Sequence, residues 1–125
     1  MTILGIGMDI VETKRIADSL ERFGDRFLHR VFLEGEVAYS NSMKFPPLHL
    51  AARFAAKEAI SKAFGTGIGR EIGWRDLEIV REPSGAPKVV LHGRAEEYAK
   101  KRGVKEIQSR ITSAPSEEAA NAALN

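Results

Sequence analysis

Residues 53–69 read RFAAKEAISKAFGTGIG, an alanine-rich helix followed directly by a loop with three glycines. Alanines recur here at every fourth position, namely Ala51, Ala55, Ala59 and Ala63. Residues four apart share one face of a helix, and side chains this small let another element approach the backbone closely. The pattern predicts a central helix over about residues 49–64 that packs tightly against the rest of the chain.

The same helix carries a cluster of charged residues. Glu58 and Lys62 are four apart in the order that favours an exposed ion pair, which is worth only ~0.3–0.5 kcal/mol. A surface pair and a binding role both fit these two residues taken alone. Lys57 beside Glu58, Arg53 one turn earlier and the glycine loop that follows favour a phosphate group with a metal ion beside this helix.

The glycine loop GTGIG follows the helix. Gly65 is predicted to end the helix, a position that needs one glycine only. Gly67 and Gly69 are expected to leave backbone N–H groups open to close approach by a ligand. The loop is not a P-loop, which precedes its helix and uses the positive end of the helix dipole. Lysine side chains would therefore have to supply the attraction for an anion.

Asp9 supplies a second carboxylate. We expect it just past a short first strand at residues 3–7, preceded by Gly5 and Gly7. Asp9 and Glu58 are too few for a dedicated calcium site. They suit Mg²⁺, which commonly takes one or two protein carboxylates together with waters and phosphate oxygens.

Periodicity and turn residues predict the remaining elements. Helices are expected at residues 11–23, ending at Gly24, then in a shorter segment with Phe27, Val31 and Phe32, and at residues 94–103. Strands are expected at residues 76–82, 86–93, 107–113 and 119–125, the first two joined by the turn PSG. FPPLHL marks a break, because adjacent prolines cannot sit inside a helix. Together these elements predict one α+β domain over residues 1–125.

Composition bounds the class of protein. Hydrophobic residues make up 43% and charged residues 29%, which is typical of soluble globular proteins. No apolar run approaches the ~20 residues that cross a bilayer, and the first residues lack the basic region of a signal peptide. The chain has no cysteine, which excludes disulfides and thiolate metal sites. We therefore expect a cytoplasmic protein with no membrane contact.

Positive charge gathers near the start of the chain although the formal net charge is only +2. The basic residues of this segment are Lys14, Arg15, Arg22, Arg26, His29 and Arg30. On composition alone, a solvated helix face explains them. An RNA-binding module that also uses residues 100–102 is an alternative, but no aromatic platform interleaves with these charges. We therefore expect no nucleic-acid partner.

Two motifs carry a resemblance to a known family. GIGMDIVETKRI at residues 5–16 and ARFAAKEAISKAFGTGIG at residues 52–69 resemble the holo-[acyl-carrier-protein] synthases, the small bacterial 4′-phosphopantetheinyl transferases. The segment GAPKVVLHG also resembles the family's G-x-P strand, so the resemblance covers about residues 3–103. It implies an α+β fold of the 4′-phosphopantetheinyl transferase type, with an antiparallel sheet packed with helices.

The resemblance also implies an activity. The family transfers 4′-phosphopantetheine from coenzyme A to a serine of apo-acyl carrier protein and releases 3′,5′-ADP, a step that supports fatty acid biosynthesis. It depends on Mg²⁺ and is usually a homotrimer with active sites between subunits. The expected reaction is attack of the serine hydroxyl on the β-phosphate, with Glu58 as the candidate general base.

Site residues follow from the matching motif positions. Asp9 and Glu58 take the metal-ligand positions, and Lys62 would contact the pyrophosphate and neutralise charge on the leaving group. The positions that hold coenzyme A in the family are Arg53, Lys57, Lys62, Gly65, Thr66, Gly67 and Pro87. Arg15, with Arg22 and Arg26 nearby, lies on the helix that receives the acidic carrier protein.

The C-terminal strands depart from the family pattern. QSRITS at residues 108–113 stands where the family reads H-V-S-I-T-H, so both histidines are absent and Arg110 replaces a small residue. This departure leaves open a catalytically weakened protein that binds coenzyme A or carrier protein without turnover. His29, His49 and His92 lie outside the motifs and are expected to be structural or surface residues, and Trp74 is expected to pack.

Overall fold

The structure is a computed structural model that describes residues 3–114 and 117–125. Its helices are α1 (Thr13–Phe23), α2 (Asp25–Val31), α3 (Glu34–Asn41), α4 (Pro46–Phe64) and α5 (Gly93–Lys101). Its strands are β1 (Gly5–Glu12), β2 (Leu77–Arg81), β3 (Pro87–Leu91), β4 (Ile107–Ala114) and β5 (Glu117–Leu124), with a 3₁₀ turn at Trp74–Asp76. Among the described residues, no helix is long and apolar enough to cross a membrane.

The strands form two antiparallel sheets. The larger sheet has the order β1-β5-β4, with Gly5 opposite Leu124 and Glu12 opposite Glu117 at the two ends of the first pair. The smaller sheet is the β2–β3 hairpin. The predicted α+β class, with antiparallel sheets packed with helices, is confirmed.

Helix α4 packs directly on the larger sheet. A Cβ atom added at Gly5 would lie 2.0 Å from the backbone oxygen of Ala63, and one at Gly7 would lie 2.1 Å from that of Ala59. The four alanines of the periodic stripe are all buried. The tight packing predicted from this stripe is confirmed, and Gly5 and Gly7 are required by the close approach of strand and helix.

The larger sheet presents two different faces. The alternation of a strand turns Ala120, Ala122 and Leu124 of β5 into the core. Small residues suit this strand because α4 lies so close, and the predicted last strand is confirmed. Along β1 the outward positions are large and apolar: Ile6, Met8 and Ile10 are 68%, 67% and 62% exposed.

The first strand was predicted with the wrong bounds. It runs over Gly5–Glu12 instead of residues 3–7, and α1 begins at Thr13 instead of residue 11. Pairing with β5 along its whole length extends β1 beyond what local propensity indicates. Asp9 therefore lies inside the strand rather than past its end.

Two helix boundaries near the prolines also differ from the prediction. Helix α3 was not predicted, because its residues show little apolar periodicity; the side chain of Glu36 closes its first turn by accepting the Leu33 N–H at 2.9 Å. Pro46 and Pro47 begin α4 rather than break it. The first turn of a helix has no backbone partner for its N–H groups, so a residue without one is tolerated there.

Candidate active site

Asp9 of β1 and Lys62 of α4 form an ion pair at one edge of the sheet–helix contact. The Nζ atom of Lys62 lies 2.8 Å from Oδ1 of Asp9 and 3.4 Å from the backbone oxygen of Met8. The Asp9 side chain is 16% exposed and that of Lys62 is 49% exposed. By accepting this hydrogen bond, the Asp9 carboxylate stabilises the charged form of Lys62 and so raises the pKa of Lys62.

Glu58 stands beside this pair. Its partial burial, followed by the charge of Asp9, raises the pKa of the Glu58 carboxyl, while Lys62 and Arg15 act in the opposite direction. The carboxylates of Asp9 and Glu58 repel each other, and Glu58 is partly removed from water. A cation bound between them would reduce this repulsion. The described residues contain no group of three or more His, Cys, Asp or Glu side chains arranged for a metal. The pair fits an ion that takes most of its ligands from water and phosphate, as Mg²⁺ does.

The glycine loop after α4 is closed by backbone hydrogen bonds. Gly65, in the left-handed conformation with φ +80°, ends α4 as predicted. The N–H of Gly67 donates to Ser61 at 3.1 Å and that of Gly69 donates to Ile72 at 2.8 Å. The prediction that these two N–H groups are open to a ligand is therefore wrong. What the loop leaves open is space, because a Cβ atom at Gly65, Gly67 or Gly69 would meet nothing within 4 Å.

Arg53 and Pro87 both line a separate cleft of about 160 Å³, which lies between α3, α4 and the β2–β3 hairpin. The Arg53 guanidinium lies 4.4 Å from the ring centroid of Tyr39 and donates to the backbone oxygen of His49 at 3.3 Å. Its Nε atom is buried without a partner among the described residues. Arg81 donates to the Tyr39 hydroxyl at 2.7 Å.

His49, which was expected to be a structural or surface residue, also lines this cleft. Burial, together with the charges of Arg53 and Arg81, lowers the pKa of His49. No described lining residue is acidic, so the cleft suits an anion. The signal was present in the sequence: His49 precedes Arg53 by four residues, which places both on one helix face.

Lys57 does not face a ligand. Its side chain is fully buried, and its Nζ atom donates to the Val31 oxygen and to Oε1 of Glu36, both at 2.7 Å, and to the Trp74 oxygen at 3.1 Å. All three donors of the ammonium are used within the protein. The prediction that Lys57 holds coenzyme A is corrected, because its partners leave it no contact with solvent.

The carboxylate pair and the cleft lie on different sides of α4. Nine residues separate Arg53 from Lys62, which at about 100° per residue turns the second side chain to the opposite side of the helix. A single chain therefore holds two half-sites, one built from Asp9, Glu58 and Lys62 and the other around Arg53.

The predicted docking residues lie on neighbouring helices. Arg15 and Arg22 of α1 and Arg26 of α2 are all exposed. The Arg15 guanidinium lies 5.7 Å from the Phe54 ring centroid, and its charge acts on Glu58. Trp74 packs on Phe54 with ring centroids 4.7 Å apart, as predicted for a packing residue.

Comparison with known proteins identifies the family. The family model described as the 4′-phosphopantetheinyl transferase superfamily matches residues 5–122. The chain belongs to this superfamily. A holo-[acyl-carrier-protein] synthase of Koribacter versatilis is 50% identical over 101 residues, covering 81% of each chain. One of Methylobacterium nodulans is 54% identical over 93 residues, covering 74% of this chain and 70% of the relative.

Solved structures of the superfamily share the fold. The holo-[acyl-carrier-protein] synthase of Neisseria meningitidis superposes with a TM-score of 0.93 at 30% identity, over 99% of both chains. That of Helicobacter pylori, solved in complex with coenzyme A, superposes with a TM-score of 0.86 at 29% identity, over 96% of this chain and 99% of the other. The predicted family, and the prediction that the chain is a phosphopantetheinyl transferase enzyme, are confirmed.

Proposed function

We propose that this chain transfers 4′-phosphopantetheine from coenzyme A to a serine of apo-acyl carrier protein, releasing 3′,5′-ADP in a Mg²⁺-dependent reaction. The observation that carries the proposal is the convergence of Asp9, Glu58 and Lys62. Two carboxylates and a lysine suit a magnesium-bound pyrophosphate. Relatives named holo-[acyl-carrier-protein] synthase, one solved with coenzyme A, support the choice of substrates.

Asp9 and Glu58 would hold Mg²⁺, which, when bound, would neutralise charge on the phosphoryl oxygens. Lys62 adds a positive charge beside the leaving group. In the reaction the serine Oγ bonds to the β-phosphorus, the bond from that phosphorus to the 3′,5′-ADP oxygen breaks, and Glu58 accepts the serine proton.

The cleft around Arg53 is proposed to take the anionic nucleotide end of coenzyme A. Arg53, Arg81 and His49 supply positive charge or hydrogen-bond donors, and Pro87 lines the same cleft. The open space over Gly65 and Gly67, with Thr66 between them in the chain, would accept the part of coenzyme A that leads to the pyrophosphate.

The active site is proposed to form between subunits of a homotrimer. The two half-sites lie on opposite sides of α4, so one bound coenzyme A needs half-sites from two copies to use both. The outward face of β1, with Ile6, Met8 and Ile10 exposed, supports an interface between copies, because exposed apolar patches mark such surfaces.

Arg15, Arg22 and Arg26 are proposed to dock the acidic carrier protein. The influence of Arg15 on Glu58 supports this, because it places the basic surface next to the carboxylates that would act on the carrier's serine.

The test is the intact mass of an apo-acyl carrier protein after incubation with this chain, coenzyme A and Mg²⁺. We expect a mass gain of one phosphopantetheine, absent with EDTA and formed at least about 10²-fold more slowly with Glu58→Gln. Full transfer in EDTA would contradict the metal proposal, and no transfer to several carrier proteins would contradict the activity.

A binding protein without turnover is the second candidate, and the C-terminal strands favour it. Gln108 and Arg110 are exposed on the sheet face that also carries Ile6 and Met8. The side chains of Thr112 and Ser113 lie outside the described part of the structure. Coenzyme A binding without any product over long incubation would support this candidate, whereas rapid turnover would exclude it.

A further inference from the structure

A buried lysine and a buried glutamate join five parts of the fold: α2, α3, α4, β2 and the 3₁₀ turn. Lys57 of α4 bonds to Glu36 of α3, to the last residue of α2 through the Val31 oxygen, and to the 3₁₀ turn through the Trp74 oxygen. The Phe32 ring centroid lies 5.4 Å from the same ammonium. Burial lowers the pKa of Lys57, and the Glu36 carboxylate acts against that shift.

Glu36 uses both of its carboxylate oxygens. Oε1 accepts from Lys57 and from the Leu33 N–H, and Oε2 accepts from the Ile79 N–H of β2 at 2.9 Å. These two side chains therefore make five hydrogen bonds in all, and the bonds form together only when α2, α3, α4, β2 and the 3₁₀ turn keep this arrangement.

Arg75 binds the same C-terminal end of α2 from the protein surface. Its guanidinium donates to the oxygens of His29 at 3.0 Å and Phe32 at 2.5 Å, and to the carboxylate of Glu34 at 3.1 Å. Lys57 and Arg75 thus place two positive charges at the carbonyl end of α2, where the helix dipole favours them.

A buried ion pair is a poor source of net stability, because apolar residues of similar volume often do as well or better. These groups instead fix the relative orientation of the elements that they join. Lys57 directly precedes Glu58 on α4, whereas α2 carries Arg26. We propose that Lys57 and Arg75 are positioning residues that fix α2 to α4 and so set the separation between the carrier-docking surface and Glu58. The inference rests on the proposed function for its consequence in catalysis.

The first test removes the buried charges together, in Lys57→Met with Glu36→Gln, so that no single charge is left unpaired. The matched control is Lys100→Met with Glu96→Gln, which removes an exposed ion pair on α5. We expect kcat to fall roughly 10- to 100-fold while the affinities for coenzyme A and carrier protein stay within about threefold, because misplaced reactants lose rate in the chemical step. The control should keep the parent's values.

Active-site counting separates positioning from mere loss of folded protein. The stoichiometry of coenzyme A binding reports the folded fraction. A kcat that falls only in parallel with this stoichiometry, or a kcat that does not fall, overturns the proposal. Arg75→Gln is the second variant if the buried pair proves essential for folding. Arg75 is partly exposed, and its replacement is expected to lower kcat in the same direction.

A distance measurement tests whether α2 is fixed to α4, and it does not depend on transfer activity. The chain has no cysteine, so Asp25→Cys on α2 and Lys62→Cys at an exposed position of α4 accept one spin label each; this readout does not need the activity of Lys62. We expect the distribution of label distances to broaden in Arg75→Gln and in the buried-pair variant, and to stay unchanged in the control. An unchanged distribution in both variants overturns the proposal. A parent chain without transfer activity would contradict the proposed function alone, since the distances would still decide whether α2 is held.

Discussion

Glu58 occupies a place where its charge is unfavourable for the folded chain. Burial and the neighbouring Asp9 both disfavour the ionised carboxyl. In the absence of a metal, Glu58→Gln is therefore expected to raise the free energy of unfolding at pH 7. The same change is expected to lower kcat by about 10²-fold or more through the loss of a metal ligand and base. Urea unfolding in EDTA, together with the carrier-protein mass assay, measures both effects.

The higher free energy of unfolding expected for Glu58→Gln should change with pH in one direction. The pKa of Glu58 is higher in the folded chain than in the unfolded chain, so folding is unhindered while the group is protonated in both states. The destabilisation grows as pH rises from the unfolded value, about 4.3 for glutamate, through the folded pKa, and it is complete above that. The difference between Glu58→Gln and the parent should vanish toward pH 4. A difference that stays constant from pH 4 to pH 7 would contradict this cause.

At the scale of elements, the contact between β1 and α4 allows no side chain at Gly7. A methyl group there would lie 2.1 Å from a backbone oxygen, so the helix itself would have to shift. Gly7→Ala is expected to destabilise the chain by about 1–3 kcal/mol, as overpacking does. Gly69→Ala is the matched control, because nothing lies within 4 Å of the added methyl group. Unfolding in urea measures both, and equal values would contradict the proposed close contact.

The pair of basic helices offers a separate prediction. Reversing one charge in Arg22→Glu is expected to raise the KM for carrier protein roughly tenfold at low salt with little change in kcat, because rim charges govern association. The effect should shrink at high salt. Lys105→Glu changes the net charge equally at an exposed residue before β4, and it should leave this KM unchanged. Equal effects of the two variants would argue against a docking role for Arg22.

At the scale of the whole molecule, the exposed apolar face of β1 is the proposed interface between subunits. Met8→Lys adds a charge to an exposed apolar face, so one chain should still fold while association is weakened. The variant is expected to sediment as a single chain of 13.8 kDa and to lose most transfer activity. Glu97→Lys on α5 serves as the control and should behave as the parent. A parent that is active as a single chain would contradict an active site between subunits.

Local patterns in the sequence predicted a large part of the molecule. The four-residue spacing of alanines predicted the packed face of α4, and Gly65 predicted its end, because helical periodicity and termination act within one or two turns. The turn residues PSG predicted the β2–β3 hairpin for the same reason. Asp9, Glu58 and Lys62 were singled out by residue type and motif, and the fold brings them together.

By itself, then, the sequence determined the class of fold, the central helix with its loop, and the set of acidic and basic residues near the proposed phosphate site. Only the tertiary structure decided the length of β1, the burial of Lys57, and the union of His49, Arg53 and Arg81 in one cleft. The physical reason is distance along the chain. Lys57 meets a partner 21 residues away, and β1 is extended by a strand from the other end of the protein. Burial and strand pairing depend on such remote neighbours, which no local pattern contains.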